Sequence, residues 1–218
     1  MMTHDRTAEG TANRAAGPGP TVFLVDDDAG MLKSLAAVME VNSLPARTYP
    51  SAEAFLADYD PRRPGCLVLD VRMPGMSGVE LLERLRAGRV DLPVIVITGH
   101  GDVPTAVRSM KLGAIEFLEK PVDPRALLEK VREALERDEA RRAEQEEARA
   151  ARERMEALTN REREVVRLLV AGLSSKQIAG EMGISIKTVE HHRAHVMAKT
   201  AAVNVADLVR MTMLARAP

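Results

Sequence analysis

Thr21-Val22-Phe23-Leu24-Val25-Asp26-Asp27-Asp28 sets a five-residue apolar run directly against three carboxylates, and Val94-Ile95-Val96-Ile97-Thr98 repeats the pattern with a hydroxyl at its end. A β-branched run this continuous is expected of a strand buried on both faces. Three further short runs complete the set: Ala46–Tyr49, Cys66–Leu69 followed by Asp70, and Ala114–Leu118 followed shortly by Lys120-Pro121. Between them the apolar residues recur at helical spacing, as in Met31, Leu32, Leu35, Val38 and Met39, and again in Val79, Leu82 and Leu85. Strand and helix in alternation predict an α/β fold, a parallel sheet covered by helices on both sides. In such a sheet the carboxyl ends of the strands form one rim, where ligands bind. Asp26, Asp27, Asp28, Asp70, Thr98 and Lys120 all fall on that rim.

Outward from this core the character of the chain changes twice. Residues 21–123 carry 11 basic and 15 acidic side chains, whereas residues 159–218 carry 9 basic and 5 acidic. An acidic body followed by a smaller basic one points to a nucleic-acid partner for the C-terminal part only. Pro124 suits the first turn of a helix, and 19 of the 32 residues from Arg125 to Glu156 are charged, with no Gly or Pro among them. One or two long helices are expected there. Leu128, Val131 and Leu135 form one heptad-like stripe, and Ala148, Ala151, Met155 and Leu158 another. The two are out of phase, so an unbroken coiled coil is not expected, and a solvated linker and a dimerising one both stay open.

From Thr159 onward the pattern is purely helical. Thr159 with Glu162 makes a capping box for a helix holding Val165, Leu168 and Leu169. Ala171-Gly172-Leu173 ends it. Ser174 or Ser175 caps the next helix, with Ile178, Ala179 and Met182; Gly183 turns the chain, Ser185 caps a third helix, and Asn204 or Val205 opens a fourth. Two short helices joined at Gly183 read as a helix-turn-helix whose second helix enters the major groove. On that helix Val189 and Val196 mark the core side, and Lys187, Glu190, His191, Ala194 and His195 share the opposite face. Lys187 and Thr188 lie at its N-terminal end, where phosphate or base contact is easiest. Glu190 suits a cytosine amino group, and Lys176, Arg193 and Lys199 suit phosphates. His191 and His195, four residues apart, suggest a metal pair, but no carboxylate or cysteine is placed to complete such a site.

Several classes are excluded by composition. A single cysteine, Cys66, leaves no disulfide framework and no Cys-rich zinc site, and its apolar surroundings predict a buried, structural thiol. No apolar run approaches the length of a membrane span. Residues 1–20 lack the basic start and apolar stretch of a secretion signal and read as a flexible tail ending in Gly17-Pro18-Gly19-Pro20. A cytoplasmic protein without a membrane partner is expected. Aromatic residues make up 2% of the chain and Trp is absent, which disfavours a reader of single strands by stacking.

The rim also predicts its own chemistry. Carboxylates gathered on one rim repel one another unless a divalent cation sits among them, and Mg²⁺ suits oxygen ligands. A carboxylate beside such a cation can attack a phosphorus centre and hold the phosphoryl group covalently, while the cation, a lysine and a hydroxyl neutralise its oxygens.

Residues 21–123 resemble the receiver domain of bacterial two-component response regulators. The matching stretches are Val25-Asp26-Asp27-Asp28, Leu69-Asp70-Val71-Arg72-Met73-Pro74-Gly75-Met76-Ser77-Gly78, Ile97-Thr98-Gly99-His100-Gly101 and Phe117-Leu118-Glu119-Lys120-Pro121. The resemblance implies a doubly wound five-stranded parallel sheet of order 2-1-3-4-5 and a phosphoryl group taken from a sensor histidine kinase onto Asp70. It implies Mg²⁺ on Asp27, Asp70 and the backbone carbonyl of Arg72, with Asp26 acting through water. It implies phosphoryl contacts from Thr98 and Lys120, and a switch role for Phe117, which by burial alone would read as core. The haloacid dehalogenase-type phosphatases also form an aspartyl-phosphate on an α/β sheet. They need a second aspartate two residues after the nucleophile, where this chain has Arg72.

The last 60 residues resemble the LuxR-type helix-turn-helix, a small four-helix domain, through Leu158–Val165, Gly172–Ala179 and Ile184–Glu190. His192 matches a usual histidine of that family, whereas His191 and His195 depart from its commoner residues. Thr200 stands where a larger apolar residue is usual, so looser packing is expected there. Thr98–Pro104 and Ala194–Lys199 place the whole closest to the FixJ-like branch.

The resulting expectation is a DNA-binding transcriptional response regulator and not an enzyme. Its parts are a tail over 1–20, a receiver over 21–135, a helical linker over 136–157 and a DNA-binding domain over 158–218. Expected partners are the histidine kinase, double-stranded promoter DNA, RNA polymerase and, on phosphorylation, a second copy of the chain.

Overall fold

The computed structural model describes residues 19–99 and 103–216. Most of the N-terminal tail, and the His100-Gly101-Asp102 portion of the Thr98–Pro104 motif, lie outside the described residues. The chain divides between Glu139 and Ala140 into two compact units.

In the first unit strands and helices alternate: β1 (Thr21–Val25), α1 (Ala29–Val41), β2 (Ala46–Tyr49), α2 (Ala52–Asp58), β3 (Gly65–Asp70), α3 (Gly78–Ala87), β4 (Val94–Thr98), α4 (Val103–Lys111) and β5 (Glu116–Glu119), followed by α5 (Pro124–Glu156). The five strands form one parallel sheet in the order β2-β1-β3-β4-β5. β1, β3 and β4 are buried along their whole length, because each sends alternate side chains to two separate cores. Phe23, Val25, Leu67, Leu69 and Val96 meet Phe55 of α2 and Leu81, Leu82 and Leu85 of α3 on one face. Val22, Leu24, Cys66, Val68, Ile95 and Ile97 meet Leu32, Leu35 and Met39 of α1 and Leu127, Val131 and Ala134 of α5 on the other. The continuous apolar runs are thus what two-sided burial demands. Four strands match the expected runs to within one residue at either end. The fifth starts two residues later than expected, because Ala114 still closes the turn after α4, its N–H donating to the Ser109 carbonyl at 3.0 Å.

Local signals set the helix starts. Asp28 caps α1, accepting from the N–H groups of Gly30 at 2.7 Å and Met31 at 3.1 Å. Ser77 and Glu80 form a full capping box at α3. The charged stretch is one continuous helix of 33 residues, α5, beginning in the first unit and ending in the second. Its Asp138 is 1% exposed and accepts from the Gly65 N–H at 2.9 Å.

In the second unit the end of α5 is followed by α6 (Asn160–Val170), α7 (Ser175–Met182), α8 (Ile186–Thr200) and α9 (Val205–Arg216). Thr159 with Glu162 and Ser174 with Gln177 form capping boxes at α6 and α7, and Ser185 caps α8. Gly183, at φ 65°, takes the left-handed conformation that lets α7 turn into α8. The core holds Leu158, Val165, Val166, Leu168, Leu169, Ile178, Val189, Val196 and Leu208. Thr200 is fully buried at the end of α8, its hydroxyl donating to the Val196 carbonyl at 2.7 Å. No helix among the described residues is long and apolar enough to cross a membrane.

Candidate functional site

The parallel sheet brings the ends of β1, β3, β4 and β5 to one rim, as the sequence predicts. Asp26 is 2% exposed and Asp70 7%, Thr98 is fully buried, and Asp27 faces solvent. Carboxylate oxygens of Asp26, Asp27 and Asp70 lie within 4.8 Å of one another. Lys120 reaches across from the end of β5, and its Nζ donates to Asp26 Oδ2 at 2.6 Å and to Asp70 Oδ2 at 3.1 Å. The Lys120–Pro121 peptide bond is cis.

The electrostatics follow from burial. Desolvation pushes the Asp70 carboxyl above the ordinary carboxylate value, and the Lys120 ammonium holds part of that rise back. Burial pulls Lys120 the other way, but its bonds to Asp26 and Asp70 outweigh it, and its affinity for the proton ends above that of a free lysine. Three carboxylates against one ammonium leave the rim negative. With all oxygen ligands and one open, solvent-facing member, it fits a divalent cation of the Mg²⁺ type.

The loop after Asp70 is held from two sides. The Arg72 N–H approaches Asp70 Oδ1 at 3.4 Å, while the Arg72 side chain is exposed. Glu53 of α2 accepts from the Met76 N–H at 2.9 Å, and bonds to its own backbone N–H, to Met76 and to Ser51 draw the Glu53 carboxyl below its usual range. Gly78 is where α3 touches the end of β3: a Cβ there would sit 2.2 Å from the Asp70 carbonyl oxygen. Phe117 on β5 pairs in register with Val96 and is half-buried against the α2/α3 core.

The second constellation is the exposed side of α8. Val189 and Val196 are fully buried, and Lys187, Glu190, His191, Ala194 and His195 are exposed, as the helical spacing predicts. Thr188 belongs to the start of the helix, its N–H donating to Ser185 Oγ at 3.1 Å. The rings of His191 and His195 lie 4.1 Å apart, centroid to centroid. Lys176 on α7 is exposed. Arg193 is partly engaged within the protein, donating to Ser175 Oγ of α7 at 2.6 Å and to Glu190 at 3.5 Å. Lys199 donates to Glu162 Oε2 at 2.7 Å, and His195 Nδ1 lies 3.8 Å from Glu162 Oε1. The Lys199 bond and the Thr159 cap pull the Glu162 carboxyl down to about 2. Sequence spacing marks Glu162 as a capping residue only; its partners stand 33 and 37 residues away, and no local signal announces them. The roles of Glu53 and Asp138 were equally silent.

A parallel α/β unit with this acidic rim and a bridging lysine is a receiver domain, and the helical unit with its exposed second helix is a helix-turn-helix of the DNA-binding kind. Residues 22–132 match the response regulator receiver domain, and residues 156–212 match the bacterial regulatory proteins of the luxR family. The chain is 49% identical over 194 residues to the transcriptional regulatory protein FixJ of Azorhizobium caulinodans, covering 89% of this chain and 92% of that one. It is 47% identical over 193 residues to FixJ of Rhizobium meliloti, covering 88% and 95%. The solved structure of the response regulator StyR superposes with a TM-score of 0.83 at 43% identity, covering 89% of this chain and 98% of that chain. The chain belongs to the FixJ-like two-domain response regulators of two-component systems. It is therefore a DNA-binding transcriptional regulator whose receiver is served by a histidine kinase, and not an enzyme.

Proposed function

We propose that Asp70 is the phosphoacceptor and that its phosphorylation turns the chain into a promoter-binding dimer. The observation that carries this reading is the placement of Lys120 between Asp26 and Asp70, with Thr98 at the neighbouring strand end. An Oδ of Asp70 attacks the phosphorus of the kinase's phosphohistidine. The new P–O bond forms as the P–N bond to imidazole breaks, and the imidazole leaves with its electron pair. Lys120 opposes the rise that burial imposes on the Asp70 carboxyl beforehand and then pairs with a phosphoryl oxygen, while the Thr98 hydroxyl donates to another. Asp27, Asp70 and the Arg72 carbonyl would hold Mg²⁺ directly and Asp26 through water. When bound, Mg²⁺ neutralises charge on the phosphoryl oxygens. Drawing Thr98 toward the phosphoryl group opens space into which Phe117 moves, and the surface of α4 and β5 changes with it.

One helix-turn-helix reads only a half-site, so pairing of two chains raises affinity through effective concentration. On α8, Lys187, Thr188, Glu190, His191 and His195 read base edges, with Lys176 and Arg193 on phosphates, and the bound dimer acts with RNA polymerase at a cytoplasmic promoter. Incubation with Mg²⁺ and acetyl phosphate, followed by intact-mass measurement and sedimentation, tests the reading. The wild type gains one phosphoryl group and shifts toward dimer, and Asp70→Asn does neither. Normal labelling of Asp70→Asn removes the site assignment; a phosphorylated chain that stays monomeric with and without DNA removes the dimer.

A further inference from the structure

The side of α8 turned toward α6 carries a second polar arrangement, which shares only His195 with the base-reading face. Glu162 is almost fully buried, with 4% of its side chain exposed. Its Oε2 accepts from the Thr159 N–H at 2.8 Å, the Thr159 hydroxyl at 2.9 Å and Lys199 Nζ at 2.7 Å, and its Oε1 faces His195 Nδ1 at 3.8 Å. His195 and Lys199 stand one helical turn apart on either side of the buried Val196. A buried carboxylate of this kind needs its cation. Were Lys199 to leave for a DNA phosphate, the buried Glu162 carboxylate would keep its Thr159 bonds but lose its ammonium partner, which costs more than a solvent-exposed phosphate contact returns.

We infer that Glu162 is the positioning residue of the recognition helix, and that Lys199 serves as its tether to Glu162 and not as a phosphate contact. Arg193 holds the same helix against Ser175 of α7, so α8 is bonded to both helices beneath it. The tether acts at the C-terminal half of α8 and sets its tilt, which decides whether Lys187, Glu190 and His191 reach the base edges together. Specific binding depends on that tilt, whereas charge-driven binding to any duplex does not.

The inference rests on α8 being the DNA reader, and the test separates the two. The full chain is titrated, over a range of salt concentrations, against duplexes it has itself selected from a randomised pool and against random-sequence duplex. Glu162→Gln keeps an acceptor for the Thr159 cap, since Gln also serves in capping boxes, and removes only the charge that Lys199 needs. Glu162→Gln and Lys199→Met should each weaken binding to selected duplex about tenfold, leaving random duplex and the salt slope unchanged. The double variant should be no weaker than either single one, and Lys199→Arg should retain the wild-type preference. A fall of about one in the salt slope for Lys199→Met, with both duplexes weakened alike and Glu162→Gln silent, makes Lys199 a phosphate contact and overturns this inference alone. Full preference for selected duplex in both single variants does the same. A wild-type chain that shows no preference for selected over random duplex, or one whose preference survives alanine at Lys187, Glu190 and His191 together, overturns the reading of α8 and the inference with it.

Discussion

Replacing Lys120 with Met tests the electrostatics of the rim directly. The ammonium lies 2.6 Å from Asp26 and 3.1 Å from Asp70, with side-chain exposures of 18% for the lysine and 3% and 8% for the two carboxylates. Methionine keeps the aliphatic stem and removes only the charge. Stripping the partner from a fully buried ion pair costs about 3–5 kcal/mol. Here the rim is open to water on the Asp27 side, which stabilises the stranded carboxylates, so a loss of about 2–3 kcal/mol is expected without divalent cation. For a unit of this size that corresponds to a fall of roughly 8–12 °C in Tm. Urea unfolding followed by tyrosine fluorescence isolates the effect. The chain has no Trp and its two tyrosines, Tyr49 and Tyr59, both lie in the first unit. Mg²⁺ at a hundredfold excess over its Kd stabilises a binding protein by about 2.7 kcal/mol. In Lys120→Met the cation meets the same carboxylates without a competing ammonium, so added Mg²⁺ should raise the variant's midpoint more than the wild type's. An unfolding midpoint within about 0.5 kcal/mol of wild type, the range of a neutral surface substitution, refutes the argument. So does an Mg²⁺ effect no larger in the variant.

Three further outcomes are expected. Gly78→Ala places a Cβ 2.2 Å from the Asp70 carbonyl oxygen and 2.9 Å from Val71 Cα; the backbone must move, with a loss of about 1–3 kcal/mol and slower phosphoacceptance by acetyl phosphate assay. Asp138→Leu leaves the Gly65 N–H without its acceptor and should lower tyrosine-monitored stability by about 1–3 kcal/mol. Glu162 has its carboxyl lowered from 4.5 to about 2, so its contribution is full above the unfolded value and is lost as pH falls from there through the folded one. The gap in thermal stability between wild type and Glu162→Gln, read by far-UV circular dichroism, should be present at neutral pH and close as pH falls through that window.

The order of the sheet's functional ends was legible because a parallel βα chain has little freedom. Helical crossovers bring the chain back so that every strand runs in one direction, and residues that follow an apolar run reach the same rim whatever the loop lengths. Asp26, Asp70, Thr98 and Lys120 were therefore readable as a group before any distance was known. The exposed face of α8 was legible for a similar reason: a period of 3.6 residues with Val189 and Val196 buried fixes where Glu190 and His191 point. Helix starts were legible as well, since capping is a contact between residues three apart.

What the sequence by itself determined about this protein is thus its local and periodic structure: strands, caps, helical faces and the rim they share. The tertiary structure alone decided which charged side chains are spoken for. Lys199 and Lys187 are indistinguishable as residue types on one helix and both are exposed, yet Lys199 is bonded to Glu162 across 37 residues of chain. Asp138 looks like one more charge in a solvated helix and is buried against Gly65, 73 residues away. The physical reason is that a charge's role depends on its desolvation and its nearest opposite charge. Both are properties of packing between distant segments, and neither leaves a mark in the order of the residues.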